Sequence, residues 1–378
     1  MRTRCEGLLT GAVGFAHYDG KLLLLPGLLP GEEAEFSTAI PHKGRLAAKD
    51  LVRLTSSDVR ITPSCPYSSV CGGCGFDYVG PEASARLKSA IVRENIESRT
   101  GCDLSPVIQE PIWAEGEGYR SRCRIHVSLK DRKLGFLSKR SNELVAIDHC
   151  PLLTERLNGL LAQPKELFRR FQSQLFSKGV NRKTGFVELE LFDADDGVLI
   201  GDEEGVVTVG GRAFHLTASV FFQSNLRLLP RLFSIVEDSV VPRRVMDLYS
   251  GVGTFSTVLE GGAYEVVAVE RDRACLALAR KNAPSARFFT DDVSLWARKD
   301  RGGVDTVIVD PPRTGLGDAA TLIASWSAGR VVYVSCNSQS LAWDLKAFMG
   351  KYTISSVRVL DFYPGSGHEE TVVVLDRR

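Results

Sequence analysis

The chain has 378 residues, 44% of them hydrophobic and 25% charged, enough for two or three packed domains; no repeats or low-complexity tracts occur. No apolar run approaches a membrane span, since Leu22 to Leu29 is broken by Pro26 and Gly27, and the amino terminus lacks a basic-then-apolar signal layout; a soluble, cytoplasmic, monomeric protein is expected. Net charge is only +1, yet eight Lys or Arg and one acid lie between Tyr119 and Arg140, and eight acids with no Lys or Arg lie between Thr184 and Val206. The basic block reads either as a phosphate grip or as a solvated strand face.

Residues 1–60 read as a small β unit, with apolar runs at Val13 to Phe15, Lys21 to Leu25, Ala34 to Ala39 and Leu46 to Leu54 separated by Gly, Pro and Asp turns. A five-strand barrel of a nucleic-acid-binding kind fits them. Residues 61–213 form a second unit. It opens on a cysteine loop and continues with a helix over 81–99, with Pro81 in its first turn and Ala90, Ile91 and Ile96 on one apolar face. Strands follow over 119–147, then a helix over 152–177 with Leu157, Leu160, Leu161, Leu167 and Phe171 as its stripe. Strands return over 186–209, with a turn at Asp195-Asp196-Gly197.

The nine cysteines are unlike a disulfide frame, because the number is odd and a cytoplasmic setting disfavours one. Cys65, Cys71 and Cys74 fall within ten residues, and Cys150 lies in Asp148-His149-Cys150-Pro151. Thiolates so close repel one another without a metal. Zinc sites usually come as two Cys-x-x-Cys pairs, so this three-plus-one spacing favours a [4Fe–4S] cluster, with zinc, unligated thiols and His149 in place of Cys150 as alternatives.

From residue 214 to 378 strands alternate with helices or loops: Val245 to Leu248, Glu265 to Val269, Ala286 to Phe289, Thr306 to Val309 and Val331 to Val334. This implies an α/β fold with a parallel sheet covered on both faces. Asp247 to Ser256 follows the first strand and contains Gly251-Val252-Gly253, where glycines admit a ligand and a helix start offers free amides. Glu270, 19 residues after Gly251, suits two ribose hydroxyls. Ser256 stands where a nicotinamide enzyme has its third glycine, and no Lys-Ser or Lys-Thr pair serves a triphosphate. With Asp292 after the third strand, S-adenosylmethionine fits better; a tight turn without a ligand is the bland alternative. Asp310-Pro311-Pro312-Arg313 ends the fourth strand in a stiff loop that holds Asp310 and Arg313 over the crevice. Amino-nitrogen methyltransferases carry a tyrosine after such prolines, so Arg313 suggests a different acceptor atom.

Cys336 ends the fifth strand, and Glu370 lies in Gly367-His368-Glu369-Glu370-Thr371. A thiol at a strand's carboxyl end with a carboxylate nearby suggests covalent catalysis, Cys336 as nucleophile and Glu370 as base. A free thiol titrates near about 8.5, so positive charge from His368 or Arg313 is expected to help it ionise. A buried core thiol and a solvated loop acid are the plain alternatives.

Together these motifs resemble the RNA uridine-5-methyltransferases, in the iron–sulfur, TRAM-containing branch that methylates 23S ribosomal RNA. Gly14-Phe15 and Leu29-Pro30-Gly31-Glu32 look like the TRAM barrel, the four cysteines match the cluster ligands, and Ser335-Cys336-Asn337 and Pro364 to Thr371 match the nucleophile and base motifs. The resemblance implies a Rossmann-like S-adenosylmethionine-dependent methyltransferase domain behind a TRAM/OB-like barrel and a central α+β iron–sulfur domain. It assigns donor contacts to Gln223, in Phe221-Phe222-Gln223-Ser224-Asn225, and to Tyr249, Thr254, Glu270, Asp292 and Asp310. It implies thiolate addition to uracil carbon 6, methylation at carbon 5, and removal of the carbon 5 proton by Glu370. Glu369 stands where the family carries an apolar residue, which leaves Glu369 beside Glu370 as a candidate base; Asp291 and Asp292 are likewise both candidates at the donor. The implied partner is 23S ribosomal RNA, with a tRNA T-loop uridine as the alternative; either way the base must swing out of its stack. A non-catalytic RNA-binding or assembly factor and a redox-sensing cluster protein are the competing classes.

Overall fold

The computed structural model describes every residue except 115–116, 140, 171–178, 182, 242, 263 and 300–302. At the amino end, eight short strands form where five were expected: β1 (Arg2–Arg4), β2 (Gly7–Leu9), β3 (Val13–Tyr18), β4 (Lys21–Leu25), β5 (Glu33–Glu35), β6 (Thr38–His42), β7 (Arg45–Lys49) and β8 (Val52–Arg53). They make a five-stranded sheet, β2-β3-β4-β7-β6, and a three-stranded sheet, β1-β5-β8, around Cys5, Ala16, Leu23, Leu25, Leu28, Ala34 and Phe36. The runs 34–39 and 46–54 each supply two strands. The second run is cut at Asp50, whose positive φ of 50° turns the chain.

After the cysteine loop, α1 (Pro81–Thr100) starts on its proline and stops at Gly101, whose φ of 71° closes the helix through a bond to Glu97 O. Its buried face is Ser84, Ala85, Lys88, Ile91, Val92 and Ile96, whereas Ala90 is exposed, contrary to the face expected for it. Strands β9 (Arg122–Ser128), β10 (Lys133–Leu137), β11 (Leu144–Ala146), β12 (Val187–Ala194) and β13 (Gly197–Ile200) make an antiparallel sheet ordered β11-β10-β9-β12-β13. Among the described residues of the single helix expected over 152–177 stand two helices, α2 (Glu155–Ala162) and α3 (Pro164–Arg170), because Pro164 cannot extend α2. Leu157, Leu161 and Leu167 are buried under the sheet, and Phe171 lies outside the described residues.

The register pairs the two charge blocks. His126 lies opposite Glu188 and Arg124 opposite Glu190, and Arg124 reaches both glutamates at 3.5–3.6 Å. The charge of Arg124 is therefore met across β9 and β12. Lys130, Arg132 and Lys133, at the β9–β10 turn, remain exposed.

The hairpin of β14 (Glu204–Val209) and β15 (Arg212–Thr217) packs its apolar side onto the carboxyl-terminal half, so the boundary expected at 213–214 falls inside β15. After α4 (Leu229–Ser239) come β16 (Arg244–Leu248), α5 (Thr254–Val258), β17 (Glu265–Glu270), α6 (Arg273–Asn282), β18 (Arg287–Thr290), α7 (Val293–Trp296), β19 (Thr306–Val309), α8 (Asp318–Ser325), β20 (Arg330–Ser335), α9 (Ser338–Phe348), β21 (Tyr352–Leu360) and β22 (Glu370–Arg377). The sheet order is β18-β17-β16-β19-β20-β22-β21, with an apolar core on each face. β16 to β20 are parallel as expected, but β22 is antiparallel to both β20 and β21. That reversal matters for chemistry. The amino end of β22 meets the carboxyl end of β20, with Thr371 opposite Ser335. Among the described residues no helix is long and apolar enough to cross a membrane.

Candidate active site

The carboxyl ends of β16 to β20 open onto one cleft of about 790 Å³, a size that accepts a nucleoside-scale ligand. Gln223, Tyr249, Thr254, Glu270, Asp292, Asp310, Cys336 and Glu370 all line it, so eight residues spread over about 150 positions converge. The loop after β16 is shaped by backbone no ordinary side chain prefers: φ is 61° at Tyr249, 54° at Gly251 and 77° at Gly253. A β-carbon on Gly253 would stand 3.2 Å from that of Ala279, so with its positive φ the close approach of helix α6 favours glycine. Glu270 braces this loop, accepting from Gly251 N at 3.0 Å with one oxygen and from Asp272 N at 2.8 Å with the other. Asp291 and Asp292 both line the cleft; Asp292 also caps α7 through Ser294 N at 2.8 Å.

The cleft is rich in carboxylates. Asp247 is fully buried beneath the loop; its Oδ2 accepts from Ser256 N and Oγ, and its Oδ1 has no partner. Burial pushes its carboxyl up to about 7. Asp310 is pushed up to about 7 as well, by burial and then by the charge of Asp247. Glu370 lies well above the usual carboxylate range, chiefly through burial and then Asp310. Gln223 Nε2 donates to Glu370 Oε2 at 3.4 Å, Tyr363 OH donates to Gln223 Oε1 at 2.9 Å, and Glu370 Oε1 is buried without a partner. Several acids in and beneath one cleft favour a cationic ligand, as a sulfonium donor is.

Cys336 is half-buried, and its thiol is pushed up to about 12 by burial first, then by Glu370 and Asp310, with the hydrogen-bonding Arg313 side chain pulling down. Arg313 is positioned by its backbone, which accepts from Asn337 Nδ2 at 3.0 Å. The following turn is pinned by Asp344, which accepts from Leu316 N, Gly317 N and Tyr333 OH. His368 does not fill the helping role expected for it. Burial, then Arg313, Lys88 and Arg120, hold its imidazole down to about 4, so it is neutral and supplies no charge.

The two adjacent glutamates point to opposite sides of β22, as neighbours near a strand do. Glu370 faces the cleft, while Glu369 is buried against α9 and bonds Ser338. Sequence reading missed Tyr363, which lines the cleft and holds Gln223; its place directly before the Pro364 motif was the available signal.

Cys65, Cys71, Cys74 and Cys150 line a second, enclosed cavity together with Arg120 and Asp77. Cys74 is pushed up to about 11 by burial, with Arg120 opposing and Asp77 and the neighbouring thiols adding to it. Among the described residues no three His, Cys, Asp or Glu are grouped to hold a metal ion as they stand. Zinc at about 2.3 Å from each sulfur needs thiols within roughly 4 Å of one another. Cys123, Cys5, Cys102 and Cys275 do not line this cavity. The two cavities communicate through one loop: Gly365 O accepts from Gly75 N at 3.1 Å and Phe76 N at 2.9 Å, and Tyr119 OH donates to Pro364 O at 2.8 Å.

Residues 297–378 match the family model described as tRNA (Uracil-5-)-methyltransferase. Over 96% of its length the chain is 31% identical to the 23S rRNA (uracil(1939)-C(5))-methyltransferase RlmD of Photorhabdus laumondii, covering 93% of that protein. It is 30% identical to the enzyme of the same name from Yersinia enterocolitica, covering 96% of this chain and 91% of that one. In structure it is similar to the Pyrococcus abyssi tRNA (uracil-54, C5)-methyltransferase in complex with S-adenosyl-L-homocysteine, with a TM-score of 0.77 and 22% identity over 99% of this chain and 100% of that one. With full-length likeness above the level at which family is shared, and with the cleft organised as described, this chain belongs to the RNA uracil-5-methyltransferase family.

Proposed function

We propose that this protein methylates carbon 5 of a uridine in 23S ribosomal RNA, with S-adenosylmethionine as methyl donor. The observation that carries the reading is the meeting of Cys336 and Glu370 in the cleft under the glycine loop, in a chain alike to 23S rRNA enzymes from end to end. The donor supplies an electrophilic methyl carried on a sulfonium. Glu270, Tyr249, Thr254, Asp292, Asp310 and Gln223 are the residues that would hold it.

Cys336 Sγ adds as thiolate to carbon 6 of the flipped uracil, and the ring electrons move to carbon 5, which takes the methyl as the sulfur–methyl bond breaks and its electrons return to the sulfonium sulfur, leaving a neutral thioether. Carbon 5 then bears a proton and a methyl group. The Glu370 carboxylate takes that proton, the double bond re-forms, and the sulfur leaves as thiolate. The elevated proton affinity of Glu370 suits an acceptor, and Gln223 orients it. Arg313 stabilises the thiolate that burial disfavours.

The four cysteines are proposed to hold a [4Fe–4S] cluster. What supports the reading is their three-plus-one spacing in the chain and their lining of one enclosed cavity. The amino-terminal strands are proposed as a TRAM-like barrel and, with Lys130, Arg132 and Lys133, as the grip on flanking RNA. A tRNA uridine is the alternative acceptor, suggested by the description of the family model.

The test is transfer of a tritiated methyl to 23S rRNA and tRNA transcripts. Labelling of 23S rRNA that disappears in Cys336→Ala supports the reading, as does a covalent RNA adduct that accumulates in Glu370→Gln. Preferential labelling of tRNA transfers the assignment to tRNA, and no labelling of either overturns it.

A further inference from the structure

Glu369 has no part in the proposed chemistry, yet it is 1% exposed, a costly place for a carboxyl group. Its Oε1 accepts from Ser338 N at 3.0 Å and Ser338 Oγ at 2.6 Å. Ser338 is the first residue of α9 and stands two positions after Cys336. Its hydroxyl also accepts from Asn95 Nδ2 at 2.8 Å, and the same Asn95 nitrogen donates to Thr10 Oγ1, in the turn between β2 and β3, at 2.9 Å. On the same helix as Asn95, Lys88 Nζ is wholly buried, paired with Asp361 Oδ1 at 2.6 Å and donating to Tyr363 O at 3.1 Å; Ser84 Oγ also donates to Asp361 Oδ2. The stretch 361–369 is thus tied to α1 at one end and to the start of α9 at the other. Between these ties the barrel sits so close to Gly367 that a β-carbon there would meet Gly11 O at 2.2 Å.

We propose that Glu369 is a positioning residue: by bonding the start of the helix that follows Cys336, it holds thiol and base at one separation, and through Asn95 and Thr10 it makes that separation depend on the seating of the amino-terminal barrel. The inference rests on the reading of Cys336 and Glu370 as nucleophile and base. The two glutamates divide the work by strand geometry. Glu370 reaches the substrate side, and Glu369 grips the back of the turn that carries the nucleophile. A link through one carboxylate oxygen to both the amide and the hydroxyl of Ser338 restrains translation and rotation of that turn. Displacement of a reacting group by about 1 Å costs on the order of a hundredfold in rate.

The experiment uses the full-length protein and RNA carrying 5-fluorouridine, whose carbon 5 has no proton to lose, so the covalent adduct accumulates once sulfur addition and methylation have occurred. In Glu369→Leu the adduct is expected to form about a hundredfold more slowly at saturating donor and RNA, with RNA affinity within about twofold of wild type. Glu369→Gln, which still offers an oxygen to Ser338, restores the rate to within a few-fold. Ser338→Ala slows the adduct, and combined with Glu369→Leu it adds little, because both remove one link. An unchanged adduct rate in Glu369→Leu, or full additivity with Ser338→Ala, overturns the proposal. Should Glu369→Leu not fold, Ser338→Ala alone decides: an unchanged rate overturns it and a slowed rate with unchanged RNA affinity supports it. A wild-type protein that forms no adduct overturns the reading of Cys336 and Glu370 instead.

Discussion

The cleft and the cysteine cavity are built on opposite principles. The cleft draws its side chains from six strand ends far apart in the chain, and its buried carboxyls outnumber the cations that reach them, chiefly Arg313, so it favours a cationic ligand. The cysteine cavity takes three ligand candidates from one ten-residue loop and one from the strand region, and it brings its own cation in Arg120. One region is electrostatically unfinished and chemically active, while the other is a joint. The difference teaches where each kind of damage should appear: in rate for the cleft, in stability for the joint. Both touch the loop 363–370, and Ser121, next to Arg120, also bonds Ser224, next to Gln223, so the joint can reach the chemistry through the position of these segments.

The largest effect that sharpens this contrast is the loss of one thiol from each region. Cys336→Ala lowers methyl transfer by on the order of 10³-fold or more, with little change in melting temperature, because its sulfur faces the cleft. Cys74→Ala lowers the melting temperature, and methyl transfer falls only as the folded fraction falls. Thermal melts beside single-turnover assays check the pair, and a Cys74→Ala protein that melts like wild type but has lost its activity breaks the comparison.

Next in size is the response of rate to pH. The working thiolate and the working carboxylate are both deprotonated, and burial raises the proton affinity of both groups. The rate therefore climbs with pH through neutrality into the alkaline range. Arg313 favours the charged form of each, so Arg313→Met moves the rising limb to higher pH; a limb that stays in place removes Arg313 from that role.

Smaller again is a change in stability. Asp247 titrates at 3.8 unperturbed and at about 7 in the fold. A raised folded-state value means its contribution is fully present below 3.8 and is lost as pH rises through about 7. Denaturant titrations should show stability declining across that window by roughly 2–4 kcal/mol on this account, and Asp247→Asn should flatten the decline. An equal decline in the variant assigns the effect to other groups.

The smallest effect lies outside both cavities. Arg132→Gln should lower the salt dependence of RNA binding by about one unit of log–log slope. Arg124→Gln should lower it less, because that guanidinium already faces Glu188 and Glu190. Equal slopes would mean that the cross-strand pairing does not hold Arg124 away from RNA.

Much of this molecule was legible in its sequence for local reasons. The strand-loop-helix at Asp247 to Ser256, the paired prolines after Asp310 and the clustered cysteines each depend on neighbours within a dozen residues, and backbone sterics and ligand chemistry act at that range. Six of the eight donor and catalytic candidates, all but Gln223 and Glu370, meet because parallel strands deliver their carboxyl ends to one edge, which the alternation of strand and helix already implied. Other features depended on partners distant in the chain. Period-two patterning does not tell a strand which way to run, so the reversal of β22 that sets Glu370 beside Cys336 emerged only from the sheet. Charge counts do not reveal who sits opposite whom, so the pairing of Arg124 with Glu188 and Glu190 required the register. Protonation is decided by burial and by neighbours brought from elsewhere, and that removed His368 from the nucleophile's support, while the placement of β22 set Glu369 against α9 and Glu370 toward the cleft. Composition and short-range spacing determined which chemistry this chain carries; long-range pairing and desolvation decided which side chain performs each part of it.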